Sequence, residues 1–593
     1  MKRNKYTLGV MAAAALLSAS CTDFSDYNEA FSSGSQESQQ TLWQNIQSDA
    51  NLTQFAELVR LSGFDKQLNG DQYYTVFAPL NGTFDADYQR YRALPADTIL
   101  QRFVYSHVAN FSREATGTID QAIHSLNDKS FRLQSDADNG GYSYGSNHLA
   151  TVNRPGSNGL LHTMNGAVEF RPNVYEYIFD AVGCDSVKNF FAKYEVKTLN
   201  LKKSTEGDIN EMGLMEYTDS VFDISNVMTD RDHLNARITV EDSSYTMILP
   251  TNRAYADAYN KIKSYFNYHA QTPYTKFSGQ VSTDMAQTVE TEYLSDSLTR
   301  MFIAHSMFFN NNSRYNRWTQ GNLTTPQDTL VSTVYQYFSN GRDFVAPSSP
   351  YVTKKVALSN GEAHVIDSLP IKPWEGWCPG HYVSATNNST RAHIDGMTPN
   401  NITASYSDFN WARYTLPEGY TGIRYLECLV STDRSAPKLD FYMPNTLSTT
   451  YYLYVVMVPS DVYTLSRDRR KSYKFSVSMT YGDANGKLKE EKFKAADGTA
   501  NFISDSTKID TMLIGKVTLP IAYAYIPKSD NEATIAPYVH IESTRNKLSN
   551  RTGEWDLYDN RLRIAGVMLI PEDYHEEWRR LNITSETEEA EEE

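Results

Sequence analysis

Two stretches of this chain say nearly the same thing in the same order. YYTVFAPLNGTF begins at Tyr73, and SYTMILPTNRAY begins at Ser244. Tyr74-Thr75 aligns with Tyr245-Thr246, Pro79 with Pro250, Asn81 with Asn252, and Phe84 with Tyr255, at a constant offset of 171. Next, RFVYSHV carries His107 and RMFIAHS carries His305, at offset 198. Finally NGLLHTMN carries His162 and NGEAHVID carries His364, at offset 202. Three landmarks in one order mark a long internal duplication, and a duplication fixes domain count before any secondary structure is read. The second copy is expected to carry about thirty extra residues, mostly between Tyr255 and His305.

Each copy opens on an apolar β-run that breaks at its proline. Ahead of the first copy, Leu42, Trp43 and Ile46 suit one short helix. Leu52, Phe55, Leu58, Val59 and Leu61 suit a second, stopped at Gly63. Strand-Pro-x-Asn-x-x-aromatic, a helix ending in His, and then Asn-Gly-x-x-His-x-hydrophobic resembles the fasciclin-like domain family. The resemblance covers residues 41–173 well and 174–372 more loosely. It implies a compact α/β unit, a β-sandwich-like core wrapped by helices, and a role in adhesion or protein–protein contact.

After Pro373 the pattern becomes alternating strands: TTYYLYVVMV at Thr449, YKFSVSMTY at Tyr473 and LRIAGVMLIP at Leu562. This predicts an all-β sandwich over 373–580. Asn485-Gly486 within it reads as a type I′ hairpin turn. The expected fold class is therefore multidomain α/β plus all-β, two tandem fasciclin-like domains followed by a C-terminal β-sandwich. An acidic tail, 581–593, is expected to be solvated.

The N-terminus carries a basic start, MKRNK, and then an apolar run of about 12 residues, too short for a bilayer span. SASC follows and resembles a bacterial lipobox, which implies a signal peptide over 1–20 and lipidation of Cys21. Residues 21–40 read as a flexible tether. Asp23 and Asp26 in it resemble the surface-export signal of Bacteroidetes-type lipoproteins. The expected location is the outer membrane, lipid-anchored and facing outward.

The formal net charge is −16, from 55 basic and 71 acidic residues, with no basic stripe. Nucleic acid is thereby an unsuitable partner. Cys184, Cys378 and Cys428 form no CxxC; one disulfide among them is open in an oxidising compartment, and a buried free thiol is the favoured reading for each. GxSxG, HExxH, GxGxxG and the phosphate loop are all missing from the sequence. DANGK at Asp483 echoes a calcium loop, but position 494 is Lys where a Glu is required. No cofactor, metal or catalytic residue is assigned.

Pro79, Asn81, His107, His162, Pro250, Asn252, His305 and His364 are read as structural landmarks. Each His is expected to bridge buried polar backbone, and each Asn-Gly to set a turn. Tyr is abundant, at 41, which suits β-rich folds and sugar- or peptide-binding surfaces. Trp318, Trp374, Trp377, Tyr382, Trp411 and Tyr414 lie in polar or Pro/Gly-rich loops, so they are the candidate contacts for a glycan, peptide or protein. Trp374 and Trp377 also fall on the expected domain boundary, where they could plug a seam. The function expected is non-catalytic binding at the cell surface, as an accessory subunit of a SusC/SusD-type importer. An adhesin and a surface hydrolase are the other two readings.

Overall fold

Strand β1, Tyr74–Pro79, is buried along its whole length, and the first copy is built around it. In this computed structural model the described residues are 39–583, apart from 137–139, 202–204, 211, 220–221, 313–328, 342, 344–348, 406–421, 461–470 and 528–532. Cys21, Trp318, Trp411 and Tyr414, the signal peptide, and all but the edges of the tether and tail fall outside them. The chain divides into two compact units. One holds the chain to Asn173 with two short segments, Thr239–Asp242 and Ala357–Asn360. The other holds the remainder.

The first unit begins with helix α1, Leu42–Ser48, closed at its start by a Thr41/Gln44 capping box. Helix α2, Thr53–Ser62, ends on Gly63 at φ +78°, the left-handed residue that terminates helices cheaply. The strands are β1, β2 (Val108–Asn110), β3 (Asp120–His124), β4 (Ser130–Ser135), β5 (Tyr142–Tyr144), β6 (Asn147–Gly156) and β7 (Gly159–Met164). They form one sheet in the order β2-β1-β7-β6-β5-β4-β3. β1 pairs with β7 in parallel, Tyr74 opposite Gly159 through Pro79 opposite Met164. Because side chains alternate along a strand, β1 feeds two cores. Tyr74, Val76 and Ala78 join Phe55, Leu58 and Phe103. Phe77 joins Tyr144, Leu149 and Met164.

In the second unit the same pairing recurs. The strand Tyr245–Pro250 lies parallel to Gly361–Ile366, Tyr245 opposite Gly361 through Pro250 opposite Ile366. It also lies antiparallel to Phe308–Asn310, as β1 does to β2. In both Asn-Gly pairs the asparagine is buried and bonds distant backbone, and the glycine answers a steric need. Gly159 sits at φ +142° and Gly361 at φ +148°. A Cβ on Gly159 would stand 1.8 Å from the Tyr74 carbonyl oxygen, and one on Gly361 would stand 1.8 Å from that of Tyr245. Only a residue without Cβ lets the two parallel strands begin side by side.

The extra length of the second copy lies in two places. Asn81 accepts from the Gln54 amide and Asn252 from the Ser186 amide, so helix Asp185–Ala192 corresponds to α2 at an offset of 132. The strand offset is 171, so 39 residues are inserted between that helix and the strand, ahead of the first sequence landmark. They hold four strands, Glu195–Leu199, Thr205–Ile209, Met215–Asp219 and Phe222–Asn226. The later insertion is a hairpin, Gln271–Ser278 with Val281–Thr288.

The C-terminal part of this unit consists of two sheets, of six and seven strands. The inserted hairpin fastens to them through tyrosine hydroxyls. Tyr523 donates to the Pro273 carbonyl at 2.9 Å and accepts from the Gly482 amide at 2.8 Å. Tyr442 donates to the Thr275 carbonyl at 3.0 Å, and Tyr268 to that of Ala524 at 2.9 Å. These three tyrosines are buried ties. Residues 483–487 form a type I turn, not the type I′ expected. Only Gly486 has positive φ, and Asp483 Oδ1 accepts from the Asn485 and Lys487 amides, which holds the turn in that form.

Gly159→Ala and Gly361→Ala should each destabilise the protein by about 3 kcal/mol or more, since backbone must move at the head of a buried strand. Urea unfolding measures this. A loss below ~1 kcal/mol would show that the close approach is not required.

Candidate functional site

The landmark asparagines are helix ties. Asn81 donates to the Ala50 carbonyl and Thr53 hydroxyl, both at 2.9 Å, at the head of α2. Asn252 donates to Asp185 at 2.9 Å at the head of its own helix. Pro79 and Pro250 close the paired buried strands.

The first-copy histidines are fully engaged with backbone. His107 Nδ1 faces the Phe103 carbonyl at 2.8 Å, and its Nε2 accepts from the Val168 amide at 3.1 Å. His162 is the opposite tautomer: Nε2 faces the Arg113 carbonyl at 3.0 Å, and Nδ1 accepts from the Asn153 amide at 3.3 Å. Each ring is therefore neutral, and burial pushes each pKa down to about 4.

The second pair differs. His305, also pushed down to about 4 by burial, lies 3.5 Å from Gln336 Nε2. His364 Nε2 meets Glu362 Oε1 at 2.9 Å, and Lys355 binds the other carboxylate oxygen at 2.9 Å. Burial raises the Glu362 pKa, but the bonds from His364 and Lys355 outweigh it and hold the group below the usual range. The acid that reaches His364 is Glu362, two residues earlier on the same strand face.

Of the candidate aromatics, Trp377 is 3% exposed and meets Tyr265 edge-on, so it serves as packing. Trp374 is half-buried, stacked on Tyr574 at 5.3 Å with Lys372 Nζ 5.5 Å from the ring. Those contacts leave it poorly placed to stack on a sugar. Tyr382 is 55% exposed. Its ring covers Gly566, where a Cβ would stand 2.5 Å from it, and its hydroxyl donates to the Ala565 carbonyl at 3.0 Å. The three do not converge on one surface in any contact that the structure shows.

Two constellations were not visible in the sequence. In the first unit a cleft of about 280 Å3 is lined by Lys129, Phe131, Arg171, Glu241 and Ser359, among others. Lys129, 3% exposed, pairs with Glu241 at 2.7 Å and donates to Ser359 Oγ at 3.2 Å. Arg171 pairs with Glu169 at 2.8 Å. With its charges matched internally, the cleft suits hydrogen bonding to a small polar solute.

In the second unit, Asp440 is 4% exposed and lies between His393 and His540 on adjacent strands, in direct register. Its oxygens meet His393 Nδ1 at 3.2 Å and His540 Nδ1 at 2.6 Å. Gln280, at the tip of the inserted hairpin, places Oε1 3.1 Å from His393 Nε2 while its own amide group donates to the Ile394 carbonyl. Burial lowers the His540 pKa, but Asp440 and then Glu542 outweigh it and raise the group. No spacing links three single residues on three strands, so no sequence motif marks them. Among the described residues, no group of three metal-ligating side chains is suited to hold an ion.

Residues 50–168 match the Fasciclin domain. The fasciclin match contains β1, β7, His107 and His162. No curated protein matches the chain. Solved structures with a likeness to it include a FAS1 domain pair from the insect cell adhesion molecule fasciclin I. That pair shares 10% identity over 55% of this chain and 98% of its own, at TM-score 0.20. The enzymatically active domain of tailspike protein 4 of bacteriophage CBA120 shares 9% identity over 30% of this chain and 18% of its own, at TM-score 0.13. CBM28, a carbohydrate-binding module specific for non-crystalline cellulose, shares 9% over 32% of this chain and 83% of its own, at TM-score 0.11. At those scores the three likenesses carry no argument. Among the described residues, no helix is long and apolar enough to cross a membrane.

The histidines predict opposite pH responses. A neutral buried His has its folded pKa below the unfolded value, so its stabilisation is present above pH 6.5 and is lost as pH falls toward 4. For His107 and His162 this is about 3 kcal/mol each. Hydrogen exchange should show the Val168 and Asn153 amides losing protection over that window, after correction for intrinsic rates. His540 is raised, so its contribution is present below pH 6.5 and fades as pH rises through its folded pKa. Unchanged protection at Val168 and Asn153 down to pH 4 would contradict the neutral-ring assignment.

Proposed function

We propose that this chain is a non-catalytic, lipid-anchored binding protein of the bacterial cell surface, held at Cys21. We further propose that residues 174–372 are a second, divergent fasciclin-like copy. The carrying observation is the match of residues 50–168 to the Fasciclin domain. The repeated parallel pairing of Tyr74 with Gly159 and of Tyr245 with Gly361 supports the second copy. The landmark histidines of the first copy spend both ring nitrogens on backbone, which fits a scaffold more than a reaction centre. Within this reading the partner is a SusC/SusD-type importer, with the chain as its accessory subunit.

Cys21→Ser should abolish acyl labelling and release the protein from the membrane fraction. Pull-down of the wild-type chain from detergent-solubilised outer membranes should recover a transporter. If deletion of the gene weakens cell attachment and leaves growth on polymers intact, the adhesin reading replaces the importer. Turnover of a polysaccharide or peptide by the purified chain would overturn the non-catalytic reading.

A further inference from the structure

The 39-residue insertion ahead of strand Tyr245–Pro250 has no counterpart in the first copy. Its described residues form two short two-stranded antiparallel pairs. Glu195–Leu199 pairs with Phe222–Asn226, and farther out Thr205–Ile209 pairs with Met215–Asp219. Among the described residues, no third strand joins either pair.

Its root is firmly set. Asn226, 3% exposed, donates to the Phe191 carbonyl at 2.8 Å and to the Tyr175 hydroxyl at 3.2 Å. Tyr175 in turn donates to Glu195 at 2.8 Å. Its tip is also shaped. Asn210 Oδ1 accepts from the Met212 and Leu214 amides at 3.1 and 3.0 Å, and Gly213 turns the chain at φ +76°.

What the tip displays is apolar. Met212 is 80% exposed and Ile209 66%, with Leu214 and Met215 beside them; Val196 and Ile224 are exposed on the stem. A two-stranded ribbon is marginal on its own in water, and contiguous exposed apolar side chains mark an interaction surface. A rooted arm with a fixed apolar tip is built to be covered.

The flanking charge says by what. Asp208, Glu216 and Asp223 are exposed along the ribbon, and acids outnumber bases between Glu195 and Asn226. Negative flanks are repelled by anionic lipid headgroups and by a second copy of the same ribbon. They complement a basic rim.

We infer that the ribbon Glu195–Asn226 is a docking arm whose tip, Ile209, Met212, Leu214 and Met215, seats in an apolar groove with a basic rim on a protein partner. This rests on the binding-protein reading but not on the importer.

The test uses the full-length chain in its own cells. A photo-crosslinking residue is placed at Met212 and, as control, at Tyr293, which is exposed on helix Thr291–His305 of the same unit. The crosslinked partner is then purified and its affinity measured for the wild type and for the Met212→Asp/Leu214→Asp double variant. Expected are a discrete product from position 212 alone, affinity lowered at least about 10-fold by the double variant, and affinity falling as salt rises. An unchanged melting temperature shows that the variant folds. A partner that is not a transporter leaves the arm standing and removes the importer. The arm is overturned by no product at 212, by equal products at 212 and 293, or by an unaffected double variant. It is equally overturned by Met212-dependent flotation on phosphatidylethanolamine/phosphatidylglycerol vesicles.

Discussion

The heads of two parallel strands touch backbone to backbone, and the rest of each copy is arranged around that contact. Gly159 lies against Tyr74, and Gly361 against Tyr245. Without a Cβ in the way, β1 and β7 run in register to Pro79 and Met164. That register sends alternate side chains into two cores. The asparagine after each proline then fixes a helix onto the end of the strand. A few main-chain contacts thus orient both layers.

The second unit repeats this pairing and adds to it. Its later insertion is a hairpin stitched to the C-terminal sheets by tyrosines, which join apolar burial to a directed hydrogen bond. Lone buried carbonyls and amides along such a seam would each cost about 1–3 kcal/mol. Tyr523 satisfies Gly482 and Pro273 with a single hydroxyl. At the hairpin tip the seam turns polar, around Asp440 and its two histidines.

Several features were legible from residues alone because local rules govern them. Helix α2 and its Gly63 stop follow from apolar spacing and a left-handed glycine. The buried strands before Pro79 and Pro250 follow from β-runs. The type I turn at Asp483 was misread because an Asn-Gly pair signals φ > 0 at both positions, whereas Asp483 captures two amides and needs it only at Gly486. The 39-residue insertion was passed over because every landmark used for alignment lies after it.

By itself the sequence determined the repeated order of the landmarks and the β-runs that end at Pro79 and Pro250; it marked the Asn-Gly pairs only as turns, and the contact that demands glycine at 159 and 361 came from the structure. Runs, breaks and recurring landmarks are set by neighbours a few residues apart. Only the tertiary structure decided what those elements meet. It gave His364 to Glu362, buried Trp377, drew Lys129, Glu241 and Ser359 into one cleft, and aligned His393, Asp440 and His540 across three strands. The reason is physical. Those partners are separated by loops and insertions of arbitrary length, and register across a sheet is fixed by hydrogen bonding between strands, which no spacing along one strand encodes.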